Sequence, residues 1–172
     1  MAASLATERP SPGTLCQAQD VLVPAKVAFE FLCAVEKWPV WLSFLRSARR
    51  VETRRPIALG SEIAIRSTIP GAEEELFEVE HYVEGFVLAL VGAYSVRRRI
   101  EMRVEAKSTR SKLVVRLDYP TYGGAVSALV DRLTARRRLD SALCDSLVHF
   151  KGLVEHGAAV DDFGEVIEQA LL

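Results

Sequence analysis

The segment VLVPAKVAFEFLCAVEKWPVWLSFL, Val21 to Leu45, holds both tryptophans of the chain together with two prolines and three phenylalanines. Its reading decides the fold. Pro24 suits the first turn of a helix, where the N–H it lacks would have had no partner. A helix over Ala25 to Val35 follows, with Val27, Phe31 and Val35 recurring on one face. Pro39 stops its continuation, and VWLSFL makes a second short helical turn carrying Trp41 and Phe44. Apart from Cys33, nothing in the segment looks like a nucleophile or a metal ligand. Trp41 and Phe44 therefore read as the wall or gate of a hydrophobic pocket, and Trp38 as partly exposed beside Pro39.

Upstream, TLCQAQDVLV is strand-like, and residues 1–14, with two prolines and a glycine, read as a disordered tail. Downstream, from Arg46 to Tyr119, the hydrophobic period becomes two. Strands are expected over Ser47 to Arg54, Ser61 to Thr68, Glu74 to Val83, Phe86 to Val91, Arg98 to Lys107 and Lys112 to Tyr119. Connections as short as IPGA, VEG and STRS make consecutive strands antiparallel neighbours. In RIEMRVEAK, Ile100, Met102 and Val104 share one face while Arg99, Glu101, Arg103 and Glu105 share the other, so the sheet has a dry and a wet side. After YPTYGG the helical period returns from Ala125 to His156, about 48 Å of helix at 1.5 Å per residue, enough to cross a sheet. VDDFGEVIEQALL can form a short amphipathic helix, and nothing in the sequence fixes where it docks. The expected organisation is a tail over 1–14, one domain over 15–157 and an extension over 158–172.

At 172 residues, 49% apolar and 26% charged, the composition is that of one globular domain. No apolar run approaches the roughly 18 residues of a membrane span, and MAASLATERPSPG lacks the apolar stretch of a signal peptide, so a soluble cytoplasmic protein is expected. The net charge of −1 gives no global reason to expect nucleic acid as a partner. The basic clusters RSARRVETRR, SVRRRIEMR and ARRRLD are offset by acidic runs and read as solvated surface. Their alternative uses are an anionic membrane touched transiently during lipid delivery, or a ribosome-associated module. Cys16, Cys33 and Cys144 fit no zinc or redox spacing and read as free, mostly buried thiols. Without a phosphate loop, a Ser-His-Asp set or a metal cluster, neither metal nor cofactor is expected.

The order of strand, two short helices, six antiparallel strands and one long helix resembles the helix-grip fold of the START-like (SRPBCC) superfamily. VLVPAKVAFEFLCAVEKWPVWLSFLRSARRVE is similar to the opening motif of its polyketide cyclase/dehydrase and lipid transport branch. Gly60, the VEHYVEG turn, LDYPTYGG and HFKGLVE fit the same pattern, which covers about Leu15 to Gly157. One departure is STRSK, where the family has a Gly-Thr before the final strand. The resemblance implies an α+β fold in which a curved antiparallel seven-stranded sheet wraps the C-terminal helix and leaves a cavity between them.

Side chains two apart on a strand share a face. The inward set is then Ile63, Ile65, Phe77, Val79, Leu88, Leu90, Ile100, Met102, Val104, Leu113, Val115 and Leu117, with three polar members, His81, Tyr119 and Arg98. Arg66, Arg103 and Arg116 fall on the solvent side. On the long helix Leu129, Leu133, Leu143, Leu147, Phe150 and Val154 form one stripe, into which Arg136 and Asp140 also project as an i, i+4 pair of opposite charge. His149 and His156 fall off it. The ligand-contact candidates are Trp41, Phe44, Phe77, His81, Leu88, Met102, Tyr119, Arg136 and Asp140.

Two functions fit this inventory. One is binding or transport of a hydrophobic small molecule such as a lipid, isoprenoid, quinone or polyketide, in a pocket with few polar anchors. The other, which the resemblance permits, is a polyketide cyclase, aromatase or dehydratase with His81, Tyr119 or the Arg136/Asp140 pair as candidate acid–base residues, His81 and Tyr119 foremost. Each of these two also has a structural reading, His81 as a hydrogen-bonded interior histidine and Tyr119 as a packing residue. A monomer and a homodimer through the sheet edge or the tail helix both remain open.

Overall fold

The computed structural model describes residues 13–68, 73–93, 95–118 and 127–170. Most of the expected tail, and Tyr119 with the rest of YPTYGG, lie outside the described residues. The elements are β1 (Thr14–Val21), α1 (Ala25–Cys33), a 3-10 turn (Val35–Lys37), α2 (Trp38–Trp41), β2 (Leu45–Arg50), β3 (Glu62–Ser67), β4 (Glu75–Val83), β5 (Val87–Gly92), β6 (Ser95–Lys107), β7 (Arg110–Asp118) and α3 (Ser127–Ala170). They form one seven-stranded antiparallel sheet in the order β1-β7-β6-β5-β4-β3-β2. The expected strands are all present. β2 is displaced toward its N-terminus because the chain leaves the sheet at Val51, whose N–H reaches the Glu62 carbonyl at 3.0 Å. Gly60, at φ +78, closes the β2–β3 connection against β4 through a Gly60 N–H to Val79 carbonyl bond of 2.9 Å. Ser108 takes φ 57 in the β6–β7 turn, the left-handed region that glycine fills most easily.

α3 runs along the concave side of the sheet and is aligned with β1 by three polar ties. Gln17 Nε2 donates to Asp140 Oδ1 at 2.8 Å, Lys151 Nζ to the Asp20 carbonyl at 3.1 Å, and the Leu22 N–H to Glu155 Oε1 at 2.7 Å. The partners advance together along both elements, so α3 runs parallel to β1. Leu143, Leu147, Phe150 and Val154 are buried, as their spacing predicts. The helical stretch of the C-terminal extension is continuous with α3, which passes through Gly157 without a break, a cost a helix interior tolerates.

The segment Val21 to Leu45 differs from expectation in two details. The buried face of α1 is Ala28, Phe29 and Leu32, one residue round from the Val27, Phe31, Val35 face; Val27 is exposed and Phe31 half-buried. α1 ends at Cys33, and Val35 belongs to the following 3-10 turn, so the three were never on one continuous helix. Trp38 is fully buried, not partly exposed. Its Nε1–H donates to the Leu32 carbonyl at 2.8 Å, satisfying one of the last α1 carbonyls, which have no partner within their own helix. Pro39 is tolerated because it stands in the first turn of α2.

Replacing Trp38 by Phe keeps most of the ring but strands the Leu32 carbonyl, and is expected to cost about 2 kcal/mol in urea unfolding. Glu155 gives a pH signature. Burial pushes its carboxyl up, but the hydrogen bonds from Lys151 and the Leu22 N–H outweigh this and hold it below the usual carboxylate value. A depressed folded value contributes stability above the unfolded carboxylate range, and that contribution is lost as pH falls through the folded value. Glu155→Gln should lower Tm by about 2–4 °C at neutral pH, and the gap to the parent should close on acidification. An equal gap at all pH values would refute the assignment.

Candidate functional site on the concave face

The register of the sheet sets its inward side chains in rows. Leu15, Leu117, Ile100, Leu90 and Val79 are successive partners across β1, β7, β6, β5 and β4. One row further along, Gln17, Val115, Met102, Leu88 and Tyr82 are partners across the same strands. The inward set read from alternation, Ile63 through Leu117, is buried throughout, with Ile100 half-buried.

Burial is graded along the strands. At the end where α1 packs, Val21, Leu113 and Val104 are at most 1% exposed, as are Met102 and Leu88 of the middle row. At the other end Leu15, Leu45, Ile65, Phe77 and Leu117 keep 4–7% exposure, and Phe44, Ile100 and Leu139 are only partly buried against the core. Phe44 is fixed there by its carbonyl, which accepts from the Thr68 N–H at 2.9 Å and from Thr68 Oγ1 at 3.3 Å. The middle row is the tightest part of the interior; the end bordered by Phe44, Ile100 and Leu139 is looser, and at the α1 end Phe31, Cys33 and Tyr82 are also only partly buried.

Among the expected polar members, His81 is not inward. β4 carries a bulge between Val79 and His81, which turns the alternation over by one residue. His81 is exposed and Tyr82 takes the inward position, packed against the core. The signal was the step of three from Val79 to Tyr82, where strict alternation would give two. Arg98 is exposed and paired with Glu75. Arg136 is exposed, and Asp140, half-buried, is held by Gln17 of β1 in place of the expected intrahelical partner. Tyr119 lies outside the described residues, as do the side chains of Leu129 and Leu133. Trp41, Leu88 and Met102 are fully buried core members, Phe77 nearly so. His149 and His156 are exposed.

Tyr82 contacts two side chains of α1. Its ring lies 5.9 Å from that of Phe29, and its hydroxyl donates toward the Cys33 thiol. Burial pushes the Cys33 thiol up to about 11, partly countered by that hydrogen bond. Burial also raises the Tyr82 hydroxyl, followed by the charges of Cys33 and Glu84. This pair is kept protonated and is a poor source of base.

Several arginines of the basic clusters have carboxylate partners. Arg50, opposite Ile63, meets Glu36 of the 3-10 turn at 3.0 Å, and on the convex side Arg49 meets Glu74 at 2.7 Å. Glu101, 5% exposed, lies between Arg99, at 2.9 Å, and Arg103, while Arg99 also reaches Glu80. Among the described residues, a groove and a cleft open on the outside of the molecule. A groove of about 400 Å³ lies among Val40, Val148, His149, Gly152 and Leu153, and a polar cleft of about 450 Å³ lies beneath the β2–β3 connection. Neither is lined by the inward set. Among the described residues no cluster of His, Cys, Asp and Glu could hold a metal ion, and no helix is long and apolar enough to cross a membrane.

No protein-family model matches the chain, and no curated protein matches it. Solved structures do. The protein TTHA0849 from Thermus thermophilus superposes with a TM-score of 0.68 at 11% identity, over 84% of this chain and 98% of that one. The ZhuI aromatase/cyclase from Streptomyces sp. R1128 gives 0.63 at 14% identity, over 83% and 93%. A START superfamily protein from Mycobacterium smegmatis gives 0.59 at 16% identity, over 83% and 97%. The chain has the START-like helix-grip fold, as the opening motif implied; at these identities the likeness is one of fold.

The thiols provide a test of the site geometry. Cys16 and Cys144 are exposed and Cys33 is half-buried beneath Tyr82. Ellman's reagent at neutral pH should therefore titrate two thiols quickly and the third at least about tenfold more slowly, because the thiolate is the reactive form. Three equally fast thiols would place Cys33 outside the interior.

Proposed function

We propose that the chain binds a hydrophobic small molecule between the looser end of the concave face and α3. The observation that carries this reading is the set of Phe44, Ile100 and Leu139, apolar side chains left partly uncovered together at the end of the concave face away from α1. Apolar side chains at a concave opening, with few polar groups among them, have the make-up of a small-molecule site. Gln17 and Asp140 supply a hydrogen-bonded polar edge on one flank. The fold shared with a protein named as an aromatase/cyclase supports a concave ligand site, and leaves open what the ligand is.

Cyclisation or dehydration of a polyketide chain would need an acid or base at the ligand. Of the two candidates His81 stands on the exposed side of β4 and Tyr119 lies outside the described residues. Asp140 is already engaged by Gln17. Binding is the function the geometry supports best.

The test uses N-phenyl-1-naphthylamine, a neutral fluorophore that brightens in apolar surroundings. Leu139→Trp and Ile100→Trp fill the looser end and should each weaken its binding about tenfold, or 1.4 kcal/mol. Val148→Trp, in the outer groove, and His81→Ala should leave affinity unchanged. Loss of binding in Val148→Trp alone would move the ligand to the outer groove and end this proposal.

A further inference from the structure

Trp38 and Trp41 stand one turn apart in α2, and both are fully excluded from solvent. Only one has an acceptor for its indole N–H. Trp38 Nε1 donates to the Leu32 carbonyl at 2.8 Å, whereas Trp41 Nε1 is buried with no hydrogen-bond partner among the described residues. Native interiors leave few such donors unpaired, because an amide-like N–H taken out of water loses its hydration and gains nothing in return. The indole is not placed to recover by swinging into solvent. Phe150 packs edge-to-face against it, with ring centroids 4.9 Å apart and an interplanar angle of 71°, and an aromatic face is at best a weak acceptor.

We propose that the missing acceptor is an oxygen of the bound ligand, so that Trp41 Nε1–H is the polar anchor of the site. This rests on the ligand-binding reading above and narrows it. Trp41 lies three residues before Phe44, and α2 touches both β2 and α3, the elements that border the looser end. An indole N–H only donates, so the ligand group must accept. Trp41 belongs to an apolar and aromatic core cluster; Arg136 is exposed, and Arg98, on the same strand face as Ile100, is already paired with Glu75. A carboxylate would be buried without a counter-charge, which is costly. A neutral carbonyl is the group that fits, and the ligand class is a ketone, quinone or ester carried on a hydrophobic skeleton, as opposed to a bare hydrocarbon or a free fatty acid anion. The hydrogen bond fixes orientation, with the carbonyl turned toward α2 and the apolar body along Ile100 and Leu139.

A matched pair of probes tests this. 2-Acetylnaphthalene and 2-isopropylnaphthalene have nearly the same shape, and only the first has an acceptor. Their affinities for the full chain are compared with those for Trp41→Phe, so that differences in probe hydration cancel. The ketone-to-hydrocarbon preference should fall about fivefold in the variant, the size of one neutral hydrogen bond. The parent protein gives an independent readout in a ¹H–¹⁵N spectrum, where its two tryptophans provide two indole N–H signals. One of these should move downfield with the ketone and not with the hydrocarbon. If Trp41→Phe does not fold, this spectrum decides alone. An unchanged preference, or an indole signal indifferent to the ketone, overturns the anchor while leaving the binding site standing. Failure of both probes to bind the parent overturns the binding reading and the anchor together.

Discussion

The strands of the sheet share one concave apolar face, built from alternate residues such as Ile63, Val79, Leu88, Met102 and Val115, and the burial of that surface supplies the stability on which the other features depend. A fully buried Leu, Ile, Val, Phe or Met contributes about 1.5–3 kcal/mol by area, whereas an exposed ion pair such as Arg49–Glu74 contributes about 1 kcal/mol or less. The concave face therefore determines where the helix lies, and the convex face is free to carry alternating charge. The gradient of burial along the strands is also what the proposed binding site rests on. Where Leu113, Val104 and Val21 are sealed, a ligand would have to displace well-packed side chains. Where Phe44, Ile100 and Leu139 are incompletely covered, binding adds burial without that loss.

Much of this was legible from the chain. Alternation in Ile63 to Leu117 identified the inward set because a one-residue slip would have exposed every apolar side chain, so register and hydrophobicity cannot disagree for long. The long helix was legible from its stripe of Leu143, Leu147, Phe150 and Val154. What escaped reading were the local departures from period. The bulge after Val79 moved His81 outward and Tyr82 inward, and a bulge is a choice of the backbone that alternation only hints at. Trp38 was misplaced for a different reason. Its neighbour Pro39 suggested a surface turn, but the need of the Leu32 carbonyl for a donor arises from where α1 happens to end. Gln17 was missed because its partner, Asp140, is 123 residues away.

The interior polar groups divide by whether the protein itself satisfies them. Ser111 Oγ donates to the Val23 carbonyl at 2.9 Å, Ser146 Oγ to the Ala142 carbonyl at 2.6 Å, and Trp38 to Leu32. Each of these joins or closes a piece of backbone, as buried polar groups usually do. The Ser43 N–H also reaches Ser146 Oγ at 3.1 Å, which holds the end of α2 against α3. Trp41 shares this setting but not the pairing. The contrast between two equally buried indoles of one short helix is the observation from which the proposed anchor is argued.

The position of β1 has a consequence for how the chain reaches this state. From β2 to β7 each strand pairs with its sequence neighbour, so the meander assembles from hairpins by short loop closures. β1 instead pairs with β7, where Thr14 bonds Asp118 across 104 residues, and its ties to α3 span 123 to 133. Contacts of such separation must offset a large loop entropy before they contribute anything. β1 and α3 hold part of their packing through each other, and their pairings carry the longest sequence separations among the described hydrogen bonds and weigh heavily on the contact order of the fold.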